Sequence, residues 1–227
     1  QTAEISVILL LCYPHGMNSL LILNKRVGET PLACMERFRA DHPEYHGVKM
    51  TYAGRLDPIA SGALLVLTGE RVHEKDSYLG LPKTYECTAL LGVSTDTYDI
   101  LGIPDPSASQ SLGTFPYKGE APNLENVKKS LEGFIGTFQQ SYPPYSSKTV
   151  DGVQLHQIAR EGRIADVEIQ GRMVTVDRIW GVEVREISRS EISRKISCII
   201  NLVSGDFRQQ EILEAWGNLF AGSQQGS

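Results

Sequence analysis

The few cysteines and the short apolar runs of the chain argue against a zinc site, a disulfide framework and a membrane anchor. Its cysteines are Cys12, Cys34, Cys87 and Cys198. No two of them form a Cys-x-x-Cys pair, which argues against a zinc site or a disulfide framework and favours a reducing compartment. The apolar run from Val7 to Tyr13 is too short to span a bilayer, and no basic segment of a secretory signal accompanies it. We therefore expect a cytoplasmic protein without a membrane partner.

An excess of positive charge is also absent. The net charge is −5 and the pI is about 5.6, which argues against nucleic-acid binding through overall charge but leaves room for a local basic groove. The sequence has no glycine-rich phosphate loop, no dinucleotide fingerprint and no cluster of metal ligands. His42 and His46 have zinc-like spacing, but Pro43 argues against their sharing one helical face. We expect neither a cofactor nor a metal.

The hydrophobic residues, 41% of the chain, are enough for one substantial core. Helices are predicted over residues 31–40, 71–79, from Asn123 onward, from Gln154 to Arg160 and from Gln209 to Phe220. Strands are predicted at Leu20–Leu23, Ala63–Leu67, Lys83–Leu91, Met173–Val184 and Ile192–Leu202, the last two as antiparallel neighbours. The strands lack regular βαβ spacing, which favours an α+β fold around an antiparallel or mixed sheet.

One carboxylate has an unusual sequence environment. Asp57 precedes Pro58, which disfavours helical geometry at the aspartate. Gly54 and Gly62 permit sharp turns on either side, and the apolar strand Ala63–Leu67 follows. This pattern predicts an acid displayed on a stiff loop before a buried strand, where loops on rigid scaffolds carry chemistry. For Leu-Asp-Pro alone, a tight turn with a solvated aspartate is the alternative.

The segment from Thr51 to Glu70 resembles the catalytic motif of the TruB-type tRNA pseudouridine synthases, Gly-x-Leu-Asp-Pro-x-Ala-[ST]-Gly. The matching residues are Gly54, Leu56, Asp57, Pro58, Ala60, Ser61 and Gly62. Further landmarks follow in family order: Lys25–Thr30, Lys83–Tyr85, Leu91–Asp99 with Gly102, Pro144–Lys148 with Gly152, and Ala159–Gly162. Gly-Arg-Leu-Asp at 54–57 is also similar to the large-subunit rRNA synthases.

The resemblance implies the pseudouridine synthase catalytic fold, a mixed and mostly antiparallel sheet flanked by helices and loops around a central RNA-binding cleft. We expect one catalytic domain over residues 17–222 with a linker at 104–122, an N-terminal extension at 1–16 and a tail at 223–227. We expect no RNA-binding PUA domain, a module common in this family. The expected partner is the T-stem-loop of tRNA, and the expected protein is a monomer that isomerises a T-loop uridine to pseudouridine.

Roles for individual residues follow from the same resemblance. Asp57 acts on the ribosyl centre, Tyr85 supplies a base and a ring face, and Arg208 pairs with Asp57, with Arg55 as the fallback cation. The expected phosphate contacts are Lys25, Lys83, Lys148, Arg160 and Arg163. The remaining expected substrate contacts are Tyr52, Gly54, Arg55, Leu56 and Tyr145. For Tyr52, a hydrogen bond to the flipped nucleotide and a packing role alone are both open.

Departures from the family pattern keep two other functions open. Tyr52 stands where the family has histidine, Arg26 where it has proline, and Gly205-Asp-Phe-Arg208-Gln209 replaces Gly-Thr-Tyr-x-Arg. In direct register Gln209 occupies the arginine position, and a shift of one residue restores it as Arg208. One alternative is an rRNA pseudouridine synthase. The other is a non-catalytic RNA-binding or folding factor that kept the scaffold.

Overall fold

The computed structural model describes residues 19–105, 122–146 and 148–221. The chain packs into two compact units. Of the described residues, the first contains 19–88 and 195–209, and the second contains 89–105, 122–146, 148–194 and 210–221. The predicted extension at 1–16, most of the predicted linker at 104–122 and the tail at 223–227 lie outside the described residues.

The first unit is built on a three-stranded antiparallel sheet. Its strands are β1 (Leu20–Lys25), β2 (Met50–Ala53) and β3 (Gly62–Thr68), in the order β1-β3-β2. The central strand β3 has the apolar run predicted from the sequence. The core beneath the sheet consists of Leu21, Leu23, Cys34, Met35, Tyr45, Leu64 and Val66. Burying these side chains supplies the rigid base for the loops at the sheet edge.

Helix α1 (Pro31–Asp41) covers this sheet and begins as predicted. The Thr30 hydroxyl accepts a hydrogen bond from the Ala33 N–H at 3.1 Å, and Pro31 takes a first-turn position where no intrahelical donor is needed. Two 3-10 segments follow along the chain, Pro43–Tyr45 and Gly69–Glu74. The second leads into the short helix α2 (Lys75–Leu79).

The second unit contains two small antiparallel sheets and several helices. Strand β4 (Gly136–Ser141) pairs with β7 (Gly171–Val176), and β5 (Thr149–Val150) pairs with β6 (Val153–Gln154). The β5–β6 hairpin turns at Asp151 and Gly152, both with positive φ, as an Asp-Gly turn requires. The helices are α3 (Leu124–Glu132), capped by Asn123 as predicted, and α4 (Leu155–Arg160), followed by the 3-10 turn Ile164–Asp166.

Helix α5 (Arg189–Leu202) overturns the prediction of a strand at Ile192–Leu202. The β-branched composition suggested a strand, but Ile196 and Ile200 are buried and lie four residues apart on one helical face. The Ser188 hydroxyl accepts the Glu191 N–H at 3.2 Å near the first turn. The last helix, α6 (Gln209–Ala221), agrees with the prediction, and its Trp216 indole N–H donates to the Gly102 carbonyl at 3.2 Å within the second unit.

Two further strand predictions are wrong in part. Residues Lys83–Leu91 form no paired strand in the structure, and nearly all of them are exposed, because no neighbouring strand accepts their backbone hydrogen bonds. The predicted strand Met173–Val184 ends at Val176 and pairs with β4 instead of with residues 192–202. The α+β class is confirmed. Across the described ranges, none of the helices is both long and apolar enough to cross a bilayer.

Candidate active site

Asp57 lies on the loop that joins β2 to β3, as the sequence predicted. Gly54 and Gly62 bound this loop with φ of 87° and 138°, values that side chains other than glycine rarely adopt. The Ala60 N–H donates to the Asp57 carbonyl at 2.9 Å and closes a turn. The Asp57 carboxylate is exposed, while the neighbouring Leu56 packs against the core. The backbone of the loop is therefore fixed, and its acid faces solvent.

A buried lysine holds this loop from behind. The Lys25 ammonium donates to the Ala60 carbonyl at 2.5 Å and to the Arg26 carbonyl at 3.1 Å, and the residue is 0% exposed. Burial lowers the pKa of Lys25, whereas the negative charges of Glu29 and Asp57 oppose the decrease. The prediction of Lys25 as a phosphate contact is wrong for this structure, because the ammonium is enclosed and committed to backbone carbonyls.

A second hydrogen bond joins the Asp57 loop to the turn formed by residues 25–28. The Gly28 N–H donates to the Pro58 carbonyl at 2.8 Å, with φ of 89° at the glycine. A methyl group at Gly28 would overlap the Leu202 carbonyl, so only glycine fits. On its other side, the Gly28 carbonyl accepts the N–H and the hydroxyl of Ser204 at 3.1 and 3.2 Å. Residues 25–28 thus connect the Asp57 loop to the segment that leads to Arg208.

The conformation of this turn is held by an ion pair that sequence reasoning missed. Arg37 donates from Nε to Glu29 Oε1 at 2.6 Å and from Nη2 to Glu29 Oε2 at 3.1 Å. Arg37 also donates to the Asn24 carbonyl at 2.9 Å, and Glu29 accepts the Arg26 N–H at 2.9 Å. The pair therefore clamps the turn at the position where the family pattern has a proline. In the sequence, the signal that could have pointed to this ion pair was Arg26, which stands where the family pattern has proline.

The electrostatics of Glu29 reflect this clamp. Burial raises the pKa of the Glu29 carboxyl, but the hydrogen bonds from Arg37 and from the Arg26 N–H, with the Arg37 charge, hold it below its usual value. The hydrogen bond to Glu29 raises the pKa of Arg37 in turn. Both directions indicate that the charged forms of the two groups stabilise each other in the folded chain.

The segment after α5 contains both positions of the candidate registers, Arg208 and Gln209. Gln209 turns its side chain inward and donates to the carbonyls of Val203 and Gly205 at 3.1 and 2.6 Å. Arg208 is half-buried and has φ of 60°, a conformation unfavourable for residues with a Cβ. Across the described residues Asp57 forms no ion pair, so its pairing with Arg208 or Arg55 stays a prediction.

Tyr85 and Lys83 lie on the extended segment after α2. The Lys83 ammonium donates to the carbonyls of Leu79 and Leu81 at 2.9 and 2.8 Å. Its Cε lies 3.7 Å from the position that a Cβ on Gly54 would take, which brings this segment to the Asp57 loop. Tyr85 is 69% exposed and forms no hydrogen bond with Asp57. Its role as a base therefore stays a prediction.

Tyr52, which replaces the family histidine, lies on β2 opposite Val66. Its ring packs against the core of the first unit, and the Lys75 ammonium lies 5.8 Å from the ring centroid. The packing role that the sequence left open is therefore present in the structure. A hydrogen bond from Tyr52 to a nucleotide stays a prediction.

The remaining predicted substrate contacts belong to the second unit. Tyr145 is half-buried, and Lys148 and Arg160 are exposed, Arg160 at the end of α4. Arg163 donates to Glu161 at 2.8 Å, so a carboxylate already occupies its guanidinium. Lys148 and Arg172 each lie near the ring of Tyr142, and sequence reasoning selected neither Tyr142 nor Arg172.

Comparison with known proteins matches residues 43–201 to the TruB family pseudouridylate synthase (N terminal domain). The tRNA pseudouridine synthase B of Aquifex aeolicus is 32% identical over 160 residues, which cover 70% of this chain and 50% of that protein. The tRNA pseudouridine synthase B of Bacteroides fragilis (strain ATCC 25285) is 29% identical over 187 residues, covering 79% of this chain and 72% of that relative.

A eukaryotic relative matches a shorter part of the chain. The tRNA pseudouridine synthase 4 of Saccharomyces cerevisiae is 37% identical over 131 residues, which are 57% of this chain and 30% of that protein. The chain thus spans half the length of the Aquifex relative and under a third of the yeast one.

Proposed function

This chain belongs to the TruB family of pseudouridylate synthases, and on that premise we propose that it converts a uridine of tRNA into pseudouridine. The target we propose is the uridine of the T-loop, presented by the T-stem-loop as the partner RNA. The names of the relatives support tRNA as the substrate class. We further propose that residues 17–222 form the catalytic domain and that it acts as a cytoplasmic monomer without a cofactor or metal.

The reaction exchanges one bond between base and sugar for another. The N1–C1′ bond of uridine breaks, the uracil turns, and a C5–C1′ bond forms. One proton leaves C5 and one is taken up at N1, so no electron carrier is required. The target nucleotide first has to leave its stack, at a cost of a few kcal/mol that is smallest for a loop base.

Asp57 is the group that we assign to the ribosyl centre, as a nucleophile or as an ionised partner of the developing positive charge. The observation that carries this assignment is the position of its exposed carboxylate on a loop whose backbone is bound by Lys25 and Gly28. The backbone of the loop is fixed and its acid is accessible. The bound substrate, and not another group of the protein, therefore completes the site at the Asp57 carboxylate. In our proposal Tyr85 accepts the C5 proton and Arg208 orients Asp57 once RNA is bound.

Tritium release from T-stem-loop RNA labelled at C5 of uridine tests this function directly. We expect release with the wild-type protein and a loss of about 10³-fold or more with Asp57→Asn, because the amide provides neither the charge nor the nucleophile. Asp76→Asn is the matched control, since Asp76 is also an exposed aspartate of the first unit and belongs to helix α2 instead of the loop. Equal release from wild type and Asp57→Asn would end the proposal.

A second candidate, the non-catalytic RNA-folding factor, is favoured by a specific observation. No ion pair of the described residues includes Asp57, and Tyr85 is largely exposed. This candidate predicts binding of T-stem-loop RNA without tritium release, and full cellular function of Asp57→Asn. Mapping pseudouridines in total RNA after gene deletion distinguishes the tRNA synthase, whose loss removes a tRNA pseudouridine, from an rRNA synthase, whose loss removes an rRNA pseudouridine and leaves tRNA positions modified.

A further inference from the structure

We propose that Tyr142, Lys148 and Arg172, here called the Tyr142 surface, bind the sugar–phosphate backbone of the RNA substrate. This inference rests on the proposed function for the identity of the RNA. Lys148 was expected from its motif, but Tyr142 and Arg172 were not, and it is the structure that joins the three. Two cations lie over one aromatic ring on an exposed face of the second unit.

The β4–β7 ladder positions Tyr142 and Arg172. The Tyr142 N–H donates to the Gln170 carbonyl at 3.3 Å, which continues the ladder one residue beyond Ser141. Arg172 lies opposite Gln140, so Arg172 and Tyr142 are diagonal neighbours on the same face. The guanidinium carbon of Arg172 lies 5.8 Å from the centroid of the Tyr142 ring. The backbone register, and not a flexible tail, therefore holds the two groups together.

Lys148 approaches the same ring from the β5–β6 hairpin. Its carbonyl accepts the Leu155 N–H at 2.8 Å, and its own N–H donates to the Ser146 hydroxyl at 3.4 Å. Its ammonium lies 5.3 Å from the Tyr142 ring centroid, while the side chain as a whole is exposed. The backbone of Lys148 is thus fixed and its charge is presented to solvent.

Neither charge of the Tyr142 surface forms an ion pair with a residue that the structure describes. This contrasts with Arg37, Arg39, Arg71, Arg163 and Arg185, each of which pairs with a carboxylate. Two like charges near one ring repel each other, and an anion that pairs with either of them lowers that repulsion. On a protein of net charge −5, such a site is a local exception.

The neighbouring shallow cavity does not share this chemistry. It measures about 460 Å³ and is lined by Gln139, Ser141, Glu168, Ile169, Gln170 and Gly171. Gln139, Ser141 and Gly171 belong to the opposite face of the β4–β7 ladder from Arg172, and Glu168 adds a negative charge there. An anion is therefore expected over the Tyr142 ring and not in this cavity.

An RNA backbone fits the Tyr142 surface because it offers both groups that the surface can recognise. Phosphates accept charge-assisted hydrogen bonds from guanidinium and ammonium, and a ribose or an unstacked base can lie against the aromatic ring. A second cation–aromatic pair on the chain after β7 supports this reading. The Arg178 guanidinium carbon lies 4.5 Å from the ring centroid of Trp180, which is 58% exposed.

Salt-dependent binding of T-stem-loop RNA tests the proposal. Fluorescence anisotropy would give the affinity of wild type, Arg172→Gln and Lys148→Gln between 50 and 200 mM KCl. Each variant removes about one phosphate contact, so the slope of log affinity against log salt should become shallower by about 0.7 to 0.9. The affinity at the lower salt should fall about fivefold.

Arg185→Gln is the matched control, since it removes an exposed guanidinium of the same unit that pairs with Glu191 at 3.4 Å. Its slope should equal that of wild type. Arg172→Lys keeps the charge and should keep the slope, which protects the test against a folding defect of Arg172→Gln. Slopes equal to wild type in both glutamine variants, or an equal decrease in Arg185→Gln, overturn the Tyr142 surface.

The two proposals fail in different ways. If wild type releases tritium and the glutamine variants bind RNA normally, the Tyr142 surface is wrong and the proposed function stands. If the variants lose affinity and slope while wild type releases no tritium, the surface stands as an RNA contact and the proposed function is wrong.

Discussion

The Asp57 loop and the Tyr142 surface use positive charge in opposite ways. At the loop, Lys25 is enclosed and bonded to the carbonyls of Ala60 and Arg26, so its charge stabilises the backbone. At the Tyr142 surface, Lys148 and Arg172 are exposed and form no ion pair with described residues, so their charges remain for a ligand. The difference shows that exposure and partners, and not residue type, decide whether a cation stabilises the backbone or stays accessible to a ligand.

At the Asp57 loop, the largest loss of stability is expected from a substitution at Gly28. For Gly28→Ala we expect a loss of at least about 3 kcal/mol in the free energy of unfolding, because φ of 89° is strained with a Cβ and the methyl group would overlap the Leu202 carbonyl. Urea unfolding of the purified protein measures this loss of free energy. Gly47→Ala, with φ of 74° and open space around the site, should cost only about 1 kcal/mol. Equal costs would show that Gly28 has no special packing role.

The ion pair behind the loop gives an intermediate effect. For Glu29→Gln we expect a loss of about 1–2 kcal/mol at pH 7, since the charge-assisted bonds from Arg37 and Arg26 weaken. Tritium release should fall with it, because the turn that carries Lys25 and Gly28 loosens. Glu36→Gln, in an exposed pair with Arg39, should cost under about 0.5 kcal/mol and leave release unchanged.

The same pair predicts a pH dependence. The folded pKa of Glu29 is depressed, so its contribution is present above the ordinary value near 4.5 and is lost as the pH falls through the folded pKa. The stability difference between wild type and Glu29→Gln should therefore be largest at neutral pH and vanish in acid. Urea midpoints from pH 7 to below 4.5 measure this. A difference that stays constant over that range would show that Glu29 is not stabilised by its charge.

The smallest effect on stability is expected at Arg208. A substitution there relieves backbone strain and also tests whether the guanidinium is needed for activity. Arg208→Gly removes a Cβ from a φ of 60° and should raise the free energy of unfolding by up to about 1 kcal/mol, while tritium release is lost with the guanidinium. Asp151→Gly relieves the same kind of strain at φ of 50° in the β5–β6 turn and should keep full release. Wild-type release from Arg208→Gly would exclude Arg208 from the site.

Local rules predicted much of the fold. Thr30 with Pro31 marked the start of α1, and Gly54 and Gly62 marked the turns around Asp57, because caps and positive φ depend on neighbouring residues only. The strand predicted at Ile192–Leu202 was wrong because β-branched residues fit either period, and burial of Ile196 and Ile200 on one face favours the helix. The strand predicted at Lys83–Leu91 was wrong for a related reason, because a strand requires a neighbouring strand to accept its backbone hydrogen bonds.

The sequence by itself determined the order of the motifs, the acid before a proline and the α+β class. The tertiary structure alone decided that Lys25 is buried behind the Asp57 loop, that Glu29 reaches Arg37, and that Tyr142 meets two cations. The physical reason is that a side chain's role depends on what surrounds it after burial. Composition and spacing describe neighbours along the chain, whereas burial and charge pairing depend on residues that are distant in sequence and meet only in the folded protein.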